Sequence, residues 1–152
     1  MPVVKKKLDI RAKGANAERD IATDLNAIIF GVMTSLNYSD NELNNRNYFV
    51  QRNQNQSAVG GQDLVNTYGF AIEVKRQETL SINSWWDQCV TSASNLNEIP
   101  VLLFKQNKQK WRCITHVYME LPNDTLGKMR GEIDYATFLN VFRSFVVDRL
   151  KR

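Results

Sequence analysis

Between Gly60 and Lys75 the chain reads GGQDLVNTYGFAIEVK, and this stretch constrains the rest of the fold. A glycine pair is followed by Asp63. Asn66-Thr67-Tyr68-Gly69 carries the residue types of a tight reversal, and the apolar run behind it holds Glu73 and Lys75. Side chains alternate across a strand, so Ala71, Glu73 and Lys75 share one face, and Phe70, Ile72 and Val74 the other. An acid and a base are thus placed on a segment that otherwise reads as buried. Burying charge is costly unless the charges are paired or bind a metal. Two carboxylates and a lysine converging on one sheet edge suit a divalent cation with a polarised water beside it.

A fold that delivers such a site needs a core, and 152 residues suffice for one domain. With 43% hydrophobic and 24% charged residues the composition is that of a globular chain, not a disordered one. The net charge of +4 and pI of about 9.1 lean mildly towards polyanionic partners. Cys89 and Cys113 form no CxxC pair and His116 stands alone, which excludes a structural zinc site and fits a reducing compartment. The apolar run Ala27 to Met33 is too short to span a membrane. Lys5, Lys6 and Lys7 precede polar sequence rather than a signal-peptide core. The expectation is a cytoplasmic protein without a membrane partner.

Residues 1–13 are basic and read as a flexible tail, leaving 14–152 as a single domain. The spacing of Ile21, Leu25, Ile28 and Ile29 predicts a helix from Gly14 to Phe30. Glu18 lies seven residues before Leu25 and eleven before Ile29, on the same apolar stripe, whereas Asp20 and Asp24 point elsewhere. A glutamate there also suits a first helical turn by itself; the strand acids tip the reading towards a shared site. Residues 37–47 read as a loop, Tyr48 to Arg52 as a strand, and 53–61 as a polar loop. Asp63 to Val65 and Phe70 to Lys75 read as a hairpin. A helix over Ser84 to Leu96, strands over Val101 to Phe104 and Trp111 to Thr115, and a last helix capped by Asp134 complete an α-β-β-β-α-β-β-α order.

The segments KGANAERDIATDL (Lys13 to Leu25), GGQD (Gly60 to Asp63) and IEVK (Ile72 to Lys75) resemble the PD-(D/E)XK nucleases, and among them the archaeal-type Holliday-junction resolvases. The resemblance covers roughly the first two thirds of the chain. Gln62 stands where the signature has proline, a position that is not the metal ligand. The resemblance implies a restriction-endonuclease-like αβββαβ core, an α/β fold with a small mixed sheet flanked by helices. It implies catalytic roles for Glu18, Asp63, Glu73 and Lys75. Asp63, Glu73 and the Val74 carbonyl would hold Mg²⁺, with Mn²⁺ able to substitute, and Glu18 would reach the metal directly or through water. Two carboxylates about 4 Å apart repel by roughly 4 kcal/mol at an effective dielectric near 20; a divalent cation turns that repulsion into binding. Lys75 would steer water or stabilise charge developing on phosphate.

The same resemblance gives Gln88, in WWDQ, a supporting role beside phosphate or water, against the alternative of a solvated helix glutamine. It also gives Ser57 a place near the DNA. Basic residues cluster at Lys5, Lys6, Lys7, Arg11 and Lys13, and again at Lys105, Lys108, Lys110 and Arg112. Either run can be a solvated face; DNA contact is favoured for the first because Lys13 lies near Glu18. Arg46, Arg52 and Arg76 are further candidates. Trp85 and Trp86 can stack on bases or pack a core, and the core is favoured for at least one.

The expected activity is metal-dependent endonucleolytic cleavage of DNA, most specifically at four-way junctions. Paired incision there calls for a homodimer, with the Phe-rich last helix or the Trp85-Trp86 region as its interface. The rivals are another PD-(D/E)XK endonuclease of restriction or repair type, a non-catalytic nucleic-acid-binding module, and a structural interaction domain whose buried charges are merely paired.

Overall fold

The computed structural model of the protein describes residues 2–53 and 62–152, the first ten of these by helical backbone alone. Helix α1 (Pro2–Ser35) runs for 34 residues. It begins at Pro2, not Gly14: the basic segment expected to precede the helix as a tail is part of it. The physical reason lies in the residues, because Lys, Leu and Arg are good helix formers and proline suits a first helical position. Ile21, Leu25 and Ile29 are wholly buried, as their spacing requires; each contributes about 1.5–3 kcal/mol by leaving water.

The expected loop over 37–47 contains a short helix α2 (Asp40–Leu43), opened by a reciprocal capping pair. The Ser39 hydroxyl accepts from the Glu42 N–H, and the Glu42 carboxylate accepts from the Ser39 N–H. Strand β1 (Gln51–Arg52) pairs antiparallel with β2 (Leu64–Val65). Then follow β3 (Phe70–Arg76), α3 (Ile82–Leu96), β4 (Ile99–Lys105), β5 (Arg112–Leu121), β6 (Thr125–Asp134) and α4 (Tyr135–Leu150). The main sheet has the order β3-β4-β5-β6. Strands β3 and β4 run parallel through the α3 crossover, and the remaining pairs are antiparallel. This is the mixed α/β sheet flanked by helices that the sequence implies.

The hairpin expected between 63–65 and 70–75 does not form a ladder. The chain does reverse there, with Asn66, Tyr68 and Gly69 all at positive φ. However, β2 turns to β1, and the best strand in the chain takes β4 as its partner. Alternation in β4 explains the two-layer core: Val101 and Leu103 face α1 and α4, while Leu102 and Phe104 face α3. On the first side Phe70, Ile72 and Val74 meet Phe138, Phe142 and Val146 of α4. On the second, Trp85, Trp86 and Cys89 meet Ile114. The tryptophans, at 5% and 8% exposure, are core residues and offer no stacking surface. His116 stands edge-on to the Trp86 ring.

Strands β5 and β6 run on as an exposed two-stranded arm. Pro122 to Asp124 turn its tip, with Asn123 and Asp124 in the left-handed region that suits them. Register puts Val117, Met119, Leu121 and Met129 on one face with Gly127 and Gly131. His116, Tyr118, Glu120, Lys128 and Arg130 lie on the other. The glycines are required by close approach: a Cβ on Gly131 would stand 2.5 Å from a Val117 methyl.

Candidate active site

Asp63 stands just before β2 and is tied to β3 twice. Its N–H donates to the Ile72 carbonyl at 3.1 Å, and its Oδ2 accepts the Val74 N–H at 2.7 Å. The returning chain is fixed by Asn53, whose N–H donates to the Asp63 carbonyl and whose amide donates to that of Gln62. Glu73 is buried at 6% exposure on the adjoining strand, and its carboxyl group hydrogen-bonds that of Asp63. The turn and strand have therefore brought the two acids together as the sequence pattern implies.

Burial lifts Glu73 to about 8, and the neighbouring Asp63 charge adds to the lift. Burial also raises Asp63, against the Val74 N–H and the Lys75 charge, which lower it. Both acids are thus held above their usual range, and below about pH 8 the pair retains a shared proton. Lys75 is half-buried at the same strand end, and its charge favours ionisation of both acids. Cys89 lies beneath, its thiol 3.6 Å from the Ala71 carbonyl. Burial and the charge of Glu73 hold that thiol far above its usual range, so it is no nucleophile.

Glu18 is buried at 7% exposure, and its charge raises both Asp63 and Glu73. The helix thus delivers it to the site as its stripe position requires. It accepts a hydrogen bond from Arg52 Nε at 2.7 Å. Arg52, expected on DNA, is therefore engaged in an ion pair, which its neighbour β2 positions. Sequence inspection missed this pair because the partners are 34 residues apart.

Among the described residues no three acid, histidine or cysteine side chains gather as a metal cage. The donor set is two carboxylates, with the backbone between them. A proton shared by two buried acids is what a hard cation would replace, so these residues fit a divalent metal that keeps several of its own waters.

Lys13 pairs with Glu78 at 3.5 Å. Glu78, which no local motif marks, also accepts the Asn107 N–H at 2.8 Å, while its carbonyl accepts from Gln106. It ties α1 to the β4–β5 turn. Arg76 is half-buried, and its Nε has no hydrogen-bond partner among the described residues. Gln88 is exposed on α3. The side chains of Lys5, Lys6, Lys7 and Arg11, and all of Ser57, Gly60 and Gly61, lie outside the described residues. No described helix is long and apolar enough to cross a membrane.

A family model described as "Phage putative PDDEXK endonuclease" matches residues 9–150. No curated protein matches the chain. Among solved structures, Hjc of Archaeoglobus fulgidus, a Holliday junction resolvase from an archaeal hyperthermophile, is 19% identical with a TM-score of 0.43; the match covers 84% of this chain and 96% of that one.

Proposed function

Since the chain belongs to the phage PDDEXK endonuclease family, we propose that it is a Mg²⁺-dependent DNA endonuclease that cuts branched DNA, four-way junctions above all, as a homodimer. The observation that carries the metal-dependent reading is the buried Asp63–Glu73 pair, with Glu73 lifted to about 8 beside Lys75. The junction preference rests on the KGANAERDIATDL, GGQD and IEVK resemblance, and the homodimer on the need for paired cuts.

In this reading Asp63, Glu73 and the Val74 carbonyl hold the cation, and Mn²⁺ can take its place. When bound, the cation supplies Lewis-acid activation of water and phosphate. The chain's own residues do the rest. The Val74 N–H fixes the Asp63 carboxylate in one orientation, so no reorganisation is needed as charge develops. Loss of the shared proton readies both acids for the metal. Lys75 neutralises charge growing on the phosphate oxygens while water bonds to phosphorus and an ester P–O bond breaks. Glu18, held by Arg52, adds negative potential that strengthens cation capture. Gln88 and Ser57 are supporting contacts.

The test is cleavage of end-labelled four-way, flap, single-stranded and linear DNA by the purified protein, with Mg²⁺ or with chelator. Paired cuts in junctions that need the metal, disappear in Asp63→Ala and Glu73→Ala, and slow by orders of magnitude in Lys75→Ala are expected. DNA affinity should be nearly unchanged in the acid variants. Wild-type rates in the acid variants would sink the site, and equal cutting of linear duplex would sink the junction preference.

A further inference from the structure

The β4–β5 turn forms a concavity of about 420 Å³ lined by Lys105, Lys108, Lys110 and Arg112, with Gln106 and Gln109. No carboxylate lines it. Only Arg112 is compensated, by a bidentate pair with Glu132 at 2.8 Å on both arms. Among the described residues Lys105, Lys108 and Lys110 have no ion-pair partner. Three uncompensated cations around one hollow repel one another, a disfavoured arrangement that an anion would relieve.

The hollow is held in shape. Lys105 Nζ lies 5.3 Å from the centre of the Trp111 ring, and the Arg112 guanidinium 4.7 Å from that of Phe104. Lys108 occupies a left-handed tip position. Glu78 clamps the turn through the Asn107 N–H at 2.8 Å and links it to Lys13 on α1 at 3.5 Å. These constraints cut the ordering cost of gripping a ligand.

Its place in the fold gives it a substrate. Register sets Lys75 beside Phe104 and Arg76 beside Lys105 on parallel strands, which lie about 4.8 Å apart. The Gln77 N–H donates to the Lys105 carbonyl. The hollow therefore opens just past the strand end that carries Glu73 and Lys75.

We propose that this hollow is a backbone-phosphate site: it holds phosphates of a DNA strand a short way from the scissile one and so sets how the substrate enters. The proposal rests on the nuclease reading above and names a part of its substrate contact. Lys108 and Lys110 make the phosphate contacts, and Lys105 and Arg112 form the wall. The charge is sequence-independent, so the site orients substrate without reading bases.

The test is equilibrium binding of a fluorescent four-way junction in chelator, titrated with KCl. Lys108→Ala/Lys110→Ala is compared with Arg143→Ala/Lys151→Ala, which removes the same charge from α4 and the residue that ends it. All four residues are exposed, so folding is not at risk. The first double variant should lower the slope of log affinity against log salt by about 1.8, at roughly 0.9 per phosphate contact. In a parallel cleavage assay with Mg²⁺ it should raise KM at least tenfold with kcat at saturation unchanged, while the second leaves slope and KM near wild type. Equal slopes in the two double variants would overturn the proposal and leave the nuclease reading intact. Failure of the wild type to bind DNA even at low salt would overturn both.

Discussion

Replacing Glu73 by glutamine is expected to make the metal-free protein more stable at pH 8 than the wild type, even though it removes a site residue. The glutamine amide can still donate to Asp63, as the protonated glutamic acid does. Glu73 has an ordinary value of 4.5 and is held at about 8 in the folded chain, by burial first and by Asp63 second. From pH 4.5 to 8 the unfolded chain has lost this proton while the folded chain keeps it. The unfolded state then binds fewer protons, so stability falls as pH rises, by about 1.4 kcal/mol per pH unit. Across the window this amounts to about 4–5 kcal/mol, shared with Asp63 as a coupled pair. The group is buried, so solvent screening removes little of it. Glutamine cannot ionise, and its stability should be nearly flat over the same range. The assay is urea unfolding in chelator at half-unit pH steps from 5 to 8.5. Adding Mg²⁺ at pH 8 should restore wild-type stability and do much less for Glu73→Gln. Parallel pH curves for the two proteins, or a wild type more stable than the variant at pH 8, would refute the reasoning.

Arg52→Ala should destabilise the fold by about 3 kcal/mol, because it removes the guanidinium bound to the buried Glu18 carboxylate; Glu18→Gln added to it should recover most of that loss in a double-mutant cycle, and strict additivity would refute the pairing. Gly131→Ala should cost about 1–3 kcal/mol by driving a methyl into Val117. Val117→Ala should relieve it, and an unchanged melting temperature in Gly131→Ala would show that the strands can separate at no cost.

Much of the site was legible because its signals are local. The α1 stripe placed Glu18 inward, and strand alternation placed Glu73 on the opposite face from Phe70, Ile72 and Val74, as the two-layer core requires. What failed was long-range. Nothing near Leu64 says that β2 will leave β3 for β1, because pairing is settled by distant partners rather than by a turn. Strand β6 escaped notice because TLGKMRGEID has two glycines and charges at alternate positions; its strand character comes from β5 alongside it. Strand β5 was cut short at Thr115 because burial ends there, and with it the hydrophobic signal. The Ser39–Glu42 capping pair follows the local S-x-x-E spacing within a stretch whose Asn and Asp content favours a loop. The Arg52–Glu18 pair was not, since charge pairing across 34 residues leaves no periodic trace.

The parallel pairing of β3 with β4 also sets an order of assembly. Strands β5 and β6 meet across a tight turn, so their pairing closes only a short loop. Glu73 instead faces Leu102 across the sheet, and that pairing waits for the whole α3 crossover to be laid down, with Asp63 arriving from a separate segment. Loop closure makes such contacts slow relative to a hairpin. Bringing the acids together therefore depends on contacts more distant in sequence than those of the hairpin. A chain that had formed only its β5–β6 hairpin would hold sheet structure without the Asp63–Glu73 pair.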